Sequence, residues 1–587
     1  MPRPKGRIGG KGGAPVASPI GSSTFANPDR EDRLMSKSQE TSTREAAVSA
    51  KATTEIRHRD YEYVRSRLLR RHEVAFLDVR EEAPHAQGHP LFAANFPYAR
   101  IELDAYTKLP FRGVPIVTID DGEGLAELSA MRLRDLGYRD VGVFEGGIAA
   151  WTAAGGELFI DVNVPSKAFG ELVESTCHTP SLSAEEVEAL IDSGDDMVIV
   201  DSRRFDEYQT MSIPTAISVP GAELVLRVPD LAPSPETRVI VNCAGRTRSL
   251  LGAQSLINAR LPNPVAALRN GTIGWLLAKQ ELEHGQKRKF GGTPPQSKDL
   301  AGRRAGAVAE QAGVRQVPRD RLANWAGQTD RTTYFFDVRS RDEYEAGHLP
   351  GFFPIEGGQL VQETEMYAPV RGARIVLADD DGARANMTAS WLAQMAWEVY
   401  VVEDATASDF SETGPWRQNV ATAPDAGRIS PEKLSALLEH GEDVVVVDFA
   451  KHRDYVAGHI PGAWYALRSR LSEAVGKLPK ATSYVVTCPD GRLSEFVAPE
   501  LAQEVEAEVF VLSGGTQGWT REGRRLESGE THLASPAIDR YRRPYEGTNA
   551  SREAMQAYLD WEFGLVEQLG RDGTHHFQPL QRDRAES

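Results

Sequence analysis

Short runs of consecutive apolar residues, each closed by an aspartate, recur four times along the chain, ending at Asp78, Asp201, Asp337 and Asp448. Runs of this length without alternation predict strands buried on both faces, as in a parallel sheet. A second set of runs ends at Asp120, Cys243, Asp379 and Cys488. The interval is 42 residues in the first three copies (120 from 78, 243 from 201, 379 from 337) and 40 in the fourth (488 from 448). A third strand follows at 141–144, 265–268, 399–402 and 509–512; in copies one and four it leads to Gly146-Gly147 and Trp151, or to Gly514-Gly515 and Trp519. Between strands lie stretches such as Leu250, Leu251, Gln254, Leu256, Ile257 and Leu261, whose spacing gives a helix one apolar face. The alternation predicts an α/β chain of four tandem units, each a parallel sheet flanked by helices on both faces.

Polar stretches then mark boundaries. The units fall at 55–160, 180–284, 316–420 and 428–530, which suits a length of 587 residues. The Gly-, Pro- and Lys/Arg-rich stretch 285–315 reads as the longest linker, so the chain is expected to behave as two pairs. Residues 1–54 lack hydrophobic periodicity and read as a disordered extension, with Met35 as an alternative start to Met1. In the tail, 531–587, Met555, Tyr558, Leu559 and Phe563 form the pattern of a helix that docks on a domain.

A formal charge of -17 argues against nucleic acid or an anionic membrane as the main partner. No apolar run approaches the length of a membrane span. Three scattered cysteines, Cys177, Cys243 and Cys488, form neither a disulfide framework nor a zinc-binding set, which predicts free thiols in a reducing, cytoplasmic setting. No metal site and no cofactor is expected, the adjacent Asp379, Asp380 and Asp381 included, because three consecutive residues rarely converge on one ion. The oligomeric state is open.

Cys243 carries the chemistry best. It ends a strand and opens a loop, Ala244, Gly245, Arg246, Thr247, Arg248 and Ser249, that leads into a helix. Ligands of open parallel sheets bind at this edge. Backbone N–H groups, the helix dipole and two arginines favour an anion there and are expected to lower the thiol pKa. Ser249 is placed to cap the helix.

With these residues in place, the chain resembles the rhodanese family. Asp201-Ser-Arg203 and Asp337-Val-Arg339 match its strand-end motif, Gly347 to Gly351 and Gly458 to Gly462 its Gly-His-x-Pro-Gly turn, and residues 243–249 its cysteine loop. The resemblance implies sulfurtransferase activity of the thiosulfate type. The loop thiolate would take sulfane sulfur from a donor anion as a persulfide and pass it to a thiol or other acceptor. Residues 244–249 would cradle it, and Arg246 and Arg248 would hold the donor's sulfonate.

The other copies depart from this. Copies one and three carry Asp120 and Asp379 in place of the thiol and are expected to be inactive. Copy four keeps Cys488 with a single loop arginine, Arg492, and an opposing Asp490; it is a possible second site. Two rival functions remain open. A Cys-loop phosphatase or arsenate reductase would resemble this loop but place arginine six positions after the cysteine, where Ser249 stands. A non-catalytic scaffold or redox sensor would make use of the degenerate copies.

Overall fold

The computed structural model describes residues 56–547 and 549–581. The 1–54 segment and the choice between Met1 and Met35 lie outside them.

Four sheets form, one per copy, each with the Asp-terminated strand beside the strand that ends at the thiol or its replacement. Copy two shows the pattern: Val265–Leu268, Arg238–Asn242 and Met197–Asp201 lie side by side and parallel, with Ser181–Leu182 and Ile217–Ser218 at the edges. These strands are buried because helices cover both faces, as the unbroken apolar runs require. Each strand-end aspartate of the first three copies is paired with the arginine two residues on; Arg203 Nη2 donates to Asp201 Oδ2 at 2.7 Å and Arg339 Nη2 to Asp337 Oδ2 at 2.7 Å.

The expected division into two pairs is corrected. Residues 285–315 are no loose linker: they contain the helix Pro295–Gln311. Its Ala301, Ala305 and Val308 are buried in one core with Val228 and Leu256 of copy two and Met387 of copy three. Small residues on one face let this helix approach its neighbours closely, a pattern too weakly apolar to read from sequence.

Copy one meets copy four instead, where the buried Arg468 donates to both oxygens of Glu102 at 2.7 and 2.8 Å. Copy two meets copy three, through Arg384 to Glu223 at 3.0 Å and Trp391 Nε1 to Ser255 Oγ at 2.9 Å. Copy three also lends a strand to copy one: Val370–Arg371 pairs antiparallel with Val74–Asp78, making that sheet six-stranded. No helix among the described residues is long and apolar enough to cross a membrane.

Candidate active site

The thiol position of copies one, two and four is set by the same backbone device. The glycine that opens the helix after the third strand lies against the carbonyl of that position. A methyl group on Gly271 would sit 2.3 Å from Cys243 O, on Gly147 2.6 Å from Asp120 O, and on Gly515 2.1 Å from Cys488 O. All three glycines have positive φ. Copy two reaches this geometry with Asn270 in the left-handed region before Gly271, a conformation asparagine tolerates. The N–H groups of Thr272 and Ile273 then donate to the carbonyls of Cys243 and Ala244, both at 3.0 Å, and pin the loop.

Cys243 stands at the end of Arg238–Asn242, just before the helix Thr247–Asn258, and is 2% exposed. Its thiol donates to Ser249 Oγ at 3.4 Å, and Ser249 in turn donates to the carbonyl of Arg246 at 2.9 Å. Ser249 therefore serves the loop and the sulfur.

The two loop arginines part company. Arg248 is the cation whose charge acts on the thiol, and it is fixed in a bidentate pair with Glu207 at 2.7 and 2.9 Å. Burial raises the Glu207 carboxyl, but Arg248 overrides this and holds it down at about 2. Arg246 binds Glu171 at 2.7 and 2.9 Å, Glu174, and Asn270 Oδ1 at 3.0 Å, with the Phe563 ring 4.3 Å from its guanidinium. Both arginines expected to hold a donor anion are paired with carboxylates, because buried guanidinium groups need partners. The expected fall in thiol pKa is corrected. Burial pushes the Cys243 thiol up, and the opposing pull of Arg248 and Ser249 does not overcome it.

Segments far away in sequence roof this loop. Glu171 and Glu174 come from Val164–Cys177, the helix between copies one and two. The tail helix Arg552–Phe563 lays Met555, Tyr558 and Leu559 against Ala244 and Ile273. Phe563, expected on the docking face, is instead 53% exposed. A methyl group on Gly245 would meet Tyr558 Cε1 at 3.3 Å, so that glycine permits the roof to close. Tyr558 donates to Glu562 Oε1 at 2.7 Å, and burial, helped by the charge of Glu171, pushes Glu562 up to about 8. Beside them the buried Lys167 pairs with Asp161 at 2.7 Å and faces the rings of Tyr545, Tyr558 and Trp561. Glu171, Glu207, Lys167 and Glu562 were absent from the sequence reading, and Tyr558 entered it only as part of a docking helix. The available signal was charge on otherwise apolar helical faces.

In copies one and three the aspartate fills the anion cradle itself. Asp120 accepts from the N–H groups of Gly122 and Ala126, both at 3.1 Å, and Asp379 from Gly382 and Ala385 at 3.1 and 2.8 Å. Arg384 neutralises the neighbouring Asp380 and Asp381 at 2.7 Å each. No group of three or more His, Cys, Asp or Glu side chains among the described residues is arranged to hold a metal ion.

Copy four differs from copy two. Cys488 is buried, its Sγ 3.9 Å from Asp490 Oδ1, while Arg492 is drawn off to Asp490 Oδ2 at 2.6 Å. Burial pushes this thiol up, as do the charges of Asp490 and Asp448; Ser494 opposes them. Ala450 replaces the strand-end arginine, so Asp448 Oδ2 is buried without a partner, and burial pushes that carboxyl up to about 7. The third cysteine, Cys177, donates to the carbonyl of Leu580 at 3.3 Å.

The family model of the rhodanese-like domain matches residues 61–154, 183–278, 319–407 and 430–522. A thiosulfate sulfurtransferase from Pseudomonas aeruginosa, known from a crystal structure, superposes with a TM-score of 0.88. It is 58% identical, and the match covers 89% of this chain and 100% of that one. The thiosulfate sulfurtransferase GlpE of Pseudomonas fluorescens (strain SBW25) is 33% identical over 92 residues, 16% of this chain and 83% of that protein. The corresponding protein of Pseudomonas entomophila is 32% identical over 104 residues, 18% of this chain and 90% of its own length.

Proposed function

Since the chain belongs to the rhodanese-like family, with four copies of its domain, we propose that it is a sulfurtransferase working through Cys243. The observation that carries this reading is a thiol at a strand end, opening a loop into a helix N-terminus, with Arg248 acting on it and Ser249 in hydrogen-bonding contact. That arrangement favours the thiolate once access of water relieves the desolvation, because Arg248 and Ser249 then act unopposed by burial. The similarity to thiosulfate sulfurtransferases supports the same chemistry.

In the first step the Cys243 thiolate attacks the outer sulfur of a donor such as thiosulfate. The donor's S–S bond breaks, sulfite leaves with the electron pair, and Cys243 keeps the sulfur as a persulfide. Backbone N–H groups of residues 244–249 and the charge of Arg248 stabilise the negative sulfur. In the second step a thiol or other nucleophilic acceptor attacks the outer sulfur, and Cys243 leaves as a thiolate. Because the cysteine is roofed by Tyr558 and its neighbours, the donor enters when the tail helix shifts.

The test is intact-mass measurement after incubation with thiosulfate. A gain of one sulfur atom that vanishes in Cys243→Ser is expected. No gain, or a gain that persists in that variant, overturns the reading.

A further inference from the structure

The tail helix Arg552–Phe563 places a carboxyl group directly over the cysteine loop of copy two. Glu562 is 1% exposed, and its Oε2 would lie 3.5 Å from a methyl group on Gly245, two residues past Cys243. Oε1 accepts from the hydroxyl of Tyr558 at 2.7 Å, while Oε2 is buried without a hydrogen-bond partner. A carboxylate sealed in this way is a desolvated charge; a carboxylic acid is not.

The cations around it already serve other carboxylates. Lys167 and Glu171 face Glu562 from Val164–Cys177, Arg246 from the cysteine loop, and Tyr545 from the segment before the tail helix. Lys167 is bound to Asp161 at 2.7 Å, and Arg246 to both oxygens of Glu171 and to Glu174. Arg543, whose charge acts on Lys167 and Tyr545, is paired with Glu546. An ionised Glu562 would therefore stand beside the Glu171 carboxylate with only shared cations to offset it. Burial and the charge of Glu171 push the Glu562 carboxyl up to about 8, against the opposing pull of Lys167, Tyr558 and Arg246.

From this juxtaposition we infer that the tail helix is a proton-operated cover of Cys243: it lies shut over the loop while Glu562 is uncharged, and it lifts as water reaches Glu562 and takes its proton. The inference names what controls the shift of the tail, and its consequence for activity rests on the sulfur-transfer reading above. The moving part is bounded. Leu565 and Leu569 of the next helix, Leu565–Asp572, are buried in the core shared by copies one and three, and Arg552 at the other end donates to the carbonyl of Leu276 at 2.9 Å. The lift is confined to the helix between these anchors, with its junction at Gly564.

The direction with pH follows from proton linkage. In the lifted form Glu562 meets water and titrates near the ordinary glutamate value of about 4.3. In the shut form it keeps its proton up to about 8. The shut form is therefore fully favoured below pH ~4, loses about a factor of ten per pH unit between the two values, and changes no further above the upper one. Ionisation of the Cys243 thiol, which burial moves above its ordinary range, does not produce that profile.

The experiment is hydrogen exchange of the full chain, with rates divided by the intrinsic exchange rate at each pH to give an opening constant for residues 552–563. Between pH ~5.5 and ~7.5 that constant is expected to rise by at least about tenfold in the parent, to level off above pH ~8, and to change by less than about twofold in Glu562→Gln, which keeps the shape and loses the titrating proton. Amides of Arg238–Asn242, the strand that ends at the loop, are expected not to follow. Sulfur loading of Cys243 by thiosulfate should be slower in Glu562→Gln than in the parent at pH ~7.5. A flat opening constant in the parent, an equal rise in Glu562→Gln, a rise shared by Arg238–Asn242, or equal loading of the two proteins overturns the inference and leaves the proposed function standing. Opening that responds as expected while Cys243 takes up no sulfur supports the cover and overturns the proposed function.

Discussion

Glu171 grips Arg246 through two hydrogen bonds at 2.7 and 2.9 Å, with both side chains nearly inaccessible to solvent. The partners are 75 residues apart, so the loop that carries Cys243 is braced from the helix joining copies one and two. Removing one member of such a pair strands a buried charge. Arg246→Ala is expected to cost about 3–5 kcal/mol of stability, read by denaturant unfolding. The double replacement Arg246→Met with Glu171→Met is expected to recover most of it. A single variant as stable as the parent would show that the pair contributes nothing.

Cys243 is expected to react as a hindered, high-pKa thiol. Burial raises its pKa above the ordinary value, so the thiolate fraction in the closed form at pH 7 is small. Alkylation by iodoacetamide, located by peptide mapping, should be slow at neutral pH and climb only at pH values above those at which a free cysteine reacts. Arg248→Gln removes the cation that opposes burial and should move the profile further up. A midpoint in the parent at or below that of a free cysteine measured alongside contradicts this account.

Asp120 of copy one is expected to take the place of a bound anion in its own loop. Asp120→Ala leaves the N–H groups of Gly122 and Ala126 without their acceptor and should cost about 1–2 kcal/mol. Sulfur loading of Cys243 should be unchanged in the same variant. Thermal unfolding and intact mass together check both halves.

Asp448 makes stability depend on pH in an unusual direction. Its folded pKa lies near 7, raised by burial and by Asp454, above the value near 3.9 of an unfolded chain. The folded state therefore holds the proton more tightly. Stability from this group is full below pH ~4 and declines as pH rises towards 7, by at most about 4 kcal/mol. Asp448→Asn should flatten that part of the curve, and Ala450→Arg, which restores the pairing of the other copies, should abolish the decline. A curve unchanged by Asp448→Asn contradicts the assignment.

Gly271→Ala is expected to displace the Cys243 loop, since the new methyl group would lie 2.3 Å from a backbone carbonyl. Sulfur loading should fall by roughly tenfold or more with the far-ultraviolet circular dichroism retained. An equal fall in copy-four loading would point to global damage instead.

The repeat was legible because buried parallel strands must be continuous apolar runs, and four such runs keep a nearly constant interval. The cysteine loop was legible for a local reason too: its residues are consecutive, so strand end, loop and helix start follow from seven neighbouring positions. What each arginine does was not. Arg246 and Arg248 are two residues apart and chemically identical, yet one is turned to Glu171 and the other to Glu207.

The sequence alone determined the four α/β units, the order of their strands' ends and the thiol or carboxylate at each, because these depend on local periodicity and spacing. Only the tertiary structure decided how the units meet, through Arg468 with Glu102 and Arg384 with Glu223. It also decided that the tail covers Cys243. The reason is physical: thiol reactivity depends on solvent exclusion and on charges brought from distant segments, and neither is encoded in the spacing of neighbouring residues.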